Sequence, residues 1–128
     1  MRPLPSELIA GIRKILADTI APELSSDHAR SRLAEIRAVL AQIDWDDGAF
    51  VLKSQAAALA DCLTASGPWA PAALPLPPAT ETLAGYVEYR DRLGAVAIDV
   101  MDHLGTHLDE HPEDLDARAR LQRLLDVV

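Results

Sequence analysis

Three histidines with a spacing that suits metal ligands lie near the end of the longest stretch with helical periodicity. His103, His107 and His111 follow one another at four-residue steps, and Asp99 lies one step before them. Side chains four residues apart on a helix come within about 5–6 Å at Cβ, so two neighbouring histidines can bind one ion. One hypothesis is therefore a zinc- or nickel-like divalent transition metal on His103 and His107, with Asp99 or His111 as a third ligand.

The helical rotation of this row favours a second interpretation. At 100° per residue, Asp99 lies nearly opposite the apolar stripe, His103 on its flank and His111 close to it. The row thus turns from solvent towards the interior, and its outer members are about two turns apart. From Asp99 to Asp116 the chain has seven acidic residues and no Lys or Arg. The alternative is an acidic, solvated face that carries no cofactor, and this is the interpretation that the sequence favours.

Signatures of other chemistry are missing from the sequence. It has no glycine-rich phosphate loop, no Gly-x-Ser-x-Gly and no His-Glu-x-x-His. Cys62 is the single cysteine, which excludes an intrachain disulfide and a cysteine-based zinc site. Its apolar neighbours predict a packed small hydrophobe rather than a nucleophile. We therefore assign no catalytic residue, and the sequence favours a non-catalytic protein over an enzyme.

The net charge limits the partners. At −8, the chain repels phosphate backbones, so nucleic-acid binding is not expected. No run of eighteen apolar residues predicts a membrane span, and the first residues lack the apolar run of a signal peptide. The sequence therefore predicts a cytoplasmic protein that does not bind membranes.

The composition predicts an all-α fold, because 49% of the residues are apolar but only 4% are aromatic. Apolar periodicity predicts five helices: Ser6 (as the cap) to Ala21, one opened by Ser26 or Asp27, 47–65, Thr80 to His111, and one opened by Pro112. Residues 1–128 are thus expected to form a single domain, an up-down bundle of four helices with a C-terminal fifth helix.

A proline-rich crossover at residues 66–80 separates the third and fourth helices. Between Gly67 and Thr80 it has five prolines in fourteen residues. An extended polyproline segment of this length reaches roughly 40 Å, enough to traverse a bundle. We therefore expect the fourth helix to run parallel to the third, with Trp69, Leu74 and Leu76 packed on the bundle.

The predicted fourth helix is longer than a compact bundle of the other helices can cover. Thirty-two residues would span roughly 48 Å, about twice the length of each earlier helix. Either it bends near Gly94 or Gly105, or part of it packs against another subunit. Gly94, Ile98, Met101 and Gly105 share one side, a small-residue surface that permits close helix approach. This pattern predicts an interface, in a homodimer or with a protein partner.

One resemblance covers the first third of the chain. The stretch Pro5-Ser6-Glu7-Leu8-Ile9 through Ile20-Ala21-Pro22-Glu23-Leu24, with His28-Ala29-Arg30, resembles the opening of a bacterial helical family of unknown function. Members of that family tend to be encoded near acyl-CoA dehydrogenases and phosphotransferase-like proteins. The resemblance implies an accessory role in cytoplasmic metabolism and transfers no site residue.

Three functions follow as hypotheses. The favoured one is a non-catalytic interaction or accessory protein that acts through oligomerisation or partner binding. The alternatives are a metal-binding bundle, enzyme or sensor, that uses His103 and His107, and a bundle that binds a small ligand between its helices.

Overall fold

The protein is all-α. A computed structural model describes residues 2–128 and contains five α-helices and no strand within them. The helices are α1 (Pro5–Ile15), α2 (Asp27–Gln42), α3 (Gly48–Thr64), α4 (Leu83–Glu110) and α5 (Leu115–Val127). The predicted helical-bundle class is confirmed, as is the order of its elements, with a proline-rich crossover before a long fourth helix. The described residues up to Gly48 form one compact unit, and Ala49–Val128 form a second. The single domain stays a prediction.

The first unit is an antiparallel hairpin of α1 and α2. α1 continues as a π-helical turn (Leu16–Ile20) and a 3-10 turn (Ala21–Glu23), where Pro22 ends the regular hydrogen bonding. The Ser6 backbone N–H donates to Asp46 Oδ1 at 2.9 Å, and Arg13 Nε donates to the Arg37 carbonyl at 3.2 Å. The first contact joins the start of α1 to the segment after α2, and the second joins the last turn of α1 to the second half of α2, so the two helices run antiparallel.

The second unit has its core along one side of α4. Ten side chains form this core, from α3, α4 and α5: Ala56, Leu59, Leu63, Tyr89, Leu93, Ala97, Val100, Leu104, Ala117 and Leu124. Trp69 and Leu74 of the crossover pack against it, whereas Leu76 is 83% exposed. The prediction that Leu76 packs on the bundle is therefore wrong, because this leucine lies between prolines in an extended segment that turns its side chain to solvent.

Contacts at both ends show that α4 runs parallel to α3. Lys53, near the start of α3, reaches Glu81, just before α4. Trp69, beyond the end of α3, lies against His107, near the end of α4. The crossover therefore runs back along the unit from the end of α3 to the start of α4. It begins as a 3-10 turn (Gly67–Trp69). α4 is continuous through Gly94 and Gly105 and is roughly 42 Å long at 1.5 Å per residue.

Three predicted helix starts are wrong in detail. The cap of α1 is Leu4 rather than Ser6, because the Ser6 hydroxyl donates to Asp46 instead. The cap of α4 is Thr82 rather than Thr80, since Thr82 Oγ1 accepts the Gly85 N–H at 3.0 Å.

The C-terminal helix also starts later than predicted. Pro112 lies in a turn, and α5 begins after Asp114, whose Oδ1 accepts the Ala117 N–H at 3.0 Å. Ser26 caps α2 as predicted, accepting from the Ala29 N–H. Within residues 2–128 no helix is both long and apolar enough to cross a membrane.

Candidate functional site

The histidine row lies at the end of α4, where the chain turns into α5. His107 is partly buried, and its Nε2 lies 2.8 Å from Asp114 Oδ2. The Trp69 ring meets the His107 ring edge-on at a centroid distance of 4.9 Å. His107 therefore ties together three elements: α4, the turn at the start of the crossover and the cap of α5.

Of the other predicted ligands, only His111 lies beside His107. Asp99 and His103 are exposed on α4. The His111 ring is tilted by 40° against the His107 ring at a centroid distance of 4.8 Å, and its Nδ1 lies 3.6 Å from Glu113 Oε1. In the described part of the chain, no group of three or more His, Cys, Asp or Glu side chains has an arrangement that could hold a metal ion. A metal on His103 and His107 stays a prediction.

Asp114 is the residue of this site that the histidine spacing did not identify. Its two carboxylate oxygens make separate hydrogen bonds: one accepts the Ala117 N–H, and the other pairs with His107 Nε2. The Ala117 N–H, followed by the His107 ring, holds the pKa of Asp114 below its usual 3.8. The available signal was its position, because an aspartate just before an apolar-periodic run is a typical helix cap. Asp114 thus has a structural role, because it caps α5 and joins α5 to His107 of α4.

A second polar cluster connects α3 to the start of α4. Lys53 Nζ lies 2.6 Å from Glu81 Oε1, and the Tyr86 hydroxyl donates to the same oxygen at 3.1 Å. The Glu81 hydrogen bond and charge raise the pKa of Lys53, and the Lys53 hydrogen bond lowers the pKa of Glu81. Both shifts move away from neutrality, so each group keeps its charge near pH 7. A general acid or base needs a pKa near neutrality, so these shifts do not favour that chemistry here; the contacts join α3 to the residues just before α4.

Cys62 lines a surface groove of about 360 Å³ between α3 and α5. Burial raises the pKa of its thiol, and the charge of Arg123 only partly opposes this. A raised pKa leaves less thiolate, the form that reacts. The side chain also packs against the core, as predicted for a small hydrophobe.

The predicted interface lies on the side of α4 next to the core. Ile98 is 54% exposed, and Gly94, Met101 and Gly105 are partly exposed. At 100° per residue, Leu83 and Val87 fall on the same side and are also exposed. We call these residues the α4 stripe: Leu83, Val87, Gly94, Ile98, Met101 and Gly105. A Cβ added at Gly94 or Gly105 would meet nothing within 4 Å, so the backbone is open to close approach there.

The hairpin of the first unit has a second exposed apolar surface. Seven aliphatic side chains of α1, its cap and the end of α2 are each about half exposed: Leu4, Leu8, Ile12, Ile15, Ile36, Val39 and Ile43. We call this surface the hairpin face. All seven belong to the first two helices or to the residues that flank them.

Comparison with protein-family models, with curated proteins and with solved structures gave no match.

Proposed function

We propose that this chain is a non-catalytic interaction protein, and that a protein partner binds the α4 stripe. The single observation that supports this most is the exposure of Ile98 and its neighbours on a helix whose other side is the core of the unit. Large apolar side chains that lie together in water are costly, and such patches with polar rims are typical of protein-binding surfaces. Arg90 and Asp91 provide that rim on the exposed side of α4.

The chemistry of the polar groups supports the same proposal. His107 and Asp114 bind one another at a helix junction, and Lys53 and Glu81 form an ion pair that keeps both charged. Each of these groups is engaged in holding helices together. An accessory role in bacterial cytoplasmic metabolism is part of the proposal, and it is supported by the resemblance of the first third of the chain.

The test is partner capture with matched variants. Ile98→Lys places a charge in the centre of the α4 stripe, whereas Thr106→Lys adds the same charge at an exposed position on another side of the same helix. The tagged chain, expressed in its native host, should lose at least about tenfold in captured partner with Ile98→Lys, because an unpaired buried ammonium is strongly unfavourable. Thr106→Lys should capture as much partner as the wild type.

Equal capture by the two variants, with both folded by circular dichroism, would contradict the proposal. Other proteins and a differently tagged copy of this chain are scored separately, and either counts as the partner only if Ile98→Lys reduces its recovery and Thr106→Lys does not.

A further inference from the structure

We propose that the hairpin face binds a second copy of this chain, so that two α1–α2 hairpins form a four-helix bundle across a dimer. This deepens the proposed function and rests on it, since it adds self-association to a chain that we infer acts by binding proteins. The residues are separate from the α4 stripe.

The register of the hairpin brings the seven side chains into one surface. The contacts of Ser6 with Asp46 and of Arg13 with Arg37 place Leu8 level with Ile43, and Ile15 level with Ile36. Ile12 and Val39 then lie between these rows. The exposed sides of α1 and α2 are each turned by roughly a quarter of a circle from the side that faces the other helix. Because the helices are antiparallel, both turn to the same side of the hairpin.

The hairpin buries too little on its own account to be a complete folding unit. Among its described residues, Leu33 is the only apolar side chain that is buried. The apolar side of a helix must pack against a second layer of secondary structure, and the two helices of the hairpin form only one layer. The missing layer must present aliphatic side chains over two helix widths, which is what a second hairpin presents.

The exposed apolar area of the hairpin face is large enough for a dimer interface. Seven half-exposed aliphatic side chains form a surface on the order of 500 Å², near the upper end for a typical monomer. Two such faces together remove on the order of 1,000 Å² from water, which is about the area that a specific interface requires. Four helices packed in this way form a bundle of ordinary size.

Charge favours the hairpin over the rest of the chain as the site of self-association. Residues 1–48 carry six Lys or Arg and eight Asp or Glu, whereas residues 49–128 carry six and twelve. Two copies of the nearly neutral segment repel one another weakly, but two copies of the acidic segment repel strongly. A second copy is thus the occupant that the hairpin face favours.

Sedimentation equilibrium of the full chain, over a series of concentrations, tests this. Ile15→Lys and Val39→Lys change the two most exposed side chains of the hairpin face, at 57% and 56%. Ala10→Lys and Ala38→Lys are matched controls, because both alanines are exposed on the opposite side of α1 and α2. The wild type and both controls should be dimers. Each face variant should weaken the dimer at least about a hundredfold, since a two-fold axis brings the substitution into the interface twice.

Milder variants keep the test informative if a lysine unfolds the hairpin. Val39→Thr keeps the shape of the side chain, and circular dichroism would show whether the helices remain; it should weaken the dimer without loss of helix content. A wild type that stays monomeric at every concentration overturns the proposal. A dimer weakened equally by the face variants and their controls also overturns it, since the second copy then binds elsewhere. Neither result affects the proposed function, which depends on partner capture by Ile98→Lys.

Discussion

Replacement of Leu104 by alanine measures how much of the fold depends on the core of α4. Leu104 is completely buried, and it lies in the core formed by α3, α4 and α5. Truncation removes buried methyl and methylene groups and leaves a cavity, because the surrounding helices relax only in part. For a leucine with no exposed surface we expect a loss of about 3–5 kcal/mol in the free energy of unfolding.

Ile98→Ala is the matched control on the same helix. Ile98 is about half exposed, so the same truncation should cost only about 1 kcal/mol. Urea unfolding followed by far-ultraviolet circular dichroism, at one low protein concentration, gives both values. A loss below about 1.5 kcal/mol for Leu104→Ala, or equal losses for the two variants, would refute the reasoning, because Leu104 would then lie in a loosely packed site.

Two further predictions concern the ends of α4. Thr82→Ala should cost about 1 kcal/mol through loss of the helix cap, and Thr80→Ala should cost almost nothing; thermal unfolding of the pair distinguishes the cap of the structure from the one that the sequence suggested. Asp114 has a lowered pKa, so the stability that it contributes is fully present above 3.8 and is lost as the pH falls from there through the lowered value. Urea midpoints measured against pH should therefore fall less steeply at acid pH in Asp114→Asn than in the wild type, and identical slopes would show that the Ala117 N–H and His107 do not lower the pKa of Asp114.

The sequence predicted the elements better than their ends. Periodicity identified all five helices, because only an α-helix brings apolar residues spaced three or four positions apart onto one side. Thr80 and Thr82 are equally good caps by type, and only the backbone of the folded chain decides which hydroxyl reaches a free N–H. Ser6 was misassigned because its hydroxyl binds Asp46, forty positions away, and local pattern carries no information on such a contact.

The candidate surfaces were predictable in part. Four of the six residues of the α4 stripe were named from helix length and small residues, since a helix longer than its neighbours cannot be covered by them; Leu83 and Val87 were added from their exposure in the structure. The hairpin face did not follow, because an apolar stripe has the same appearance in a sequence whether it meets another helix of the unit or solvent. The role of His107 was likewise hidden, since its spacing to His103 suggested a metal ligand whereas Asp114, seven positions on, is its partner in the structure.

The crossover between α3 and α4 is exposed yet poorly suited to cleavage. Exposed loops are usually the first segments that proteases cut. Leu76 has the most exposed large apolar side chain within residues 2–128, and it is flanked by Pro75 and Pro77. A protease binds its substrate as an extended strand and uses backbone N–H donors that proline lacks. The prolines that let this segment span the unit should therefore also slow its cleavage by proteases. The chain can thus have a long solvent-exposed connection that is not a preferred cleavage site.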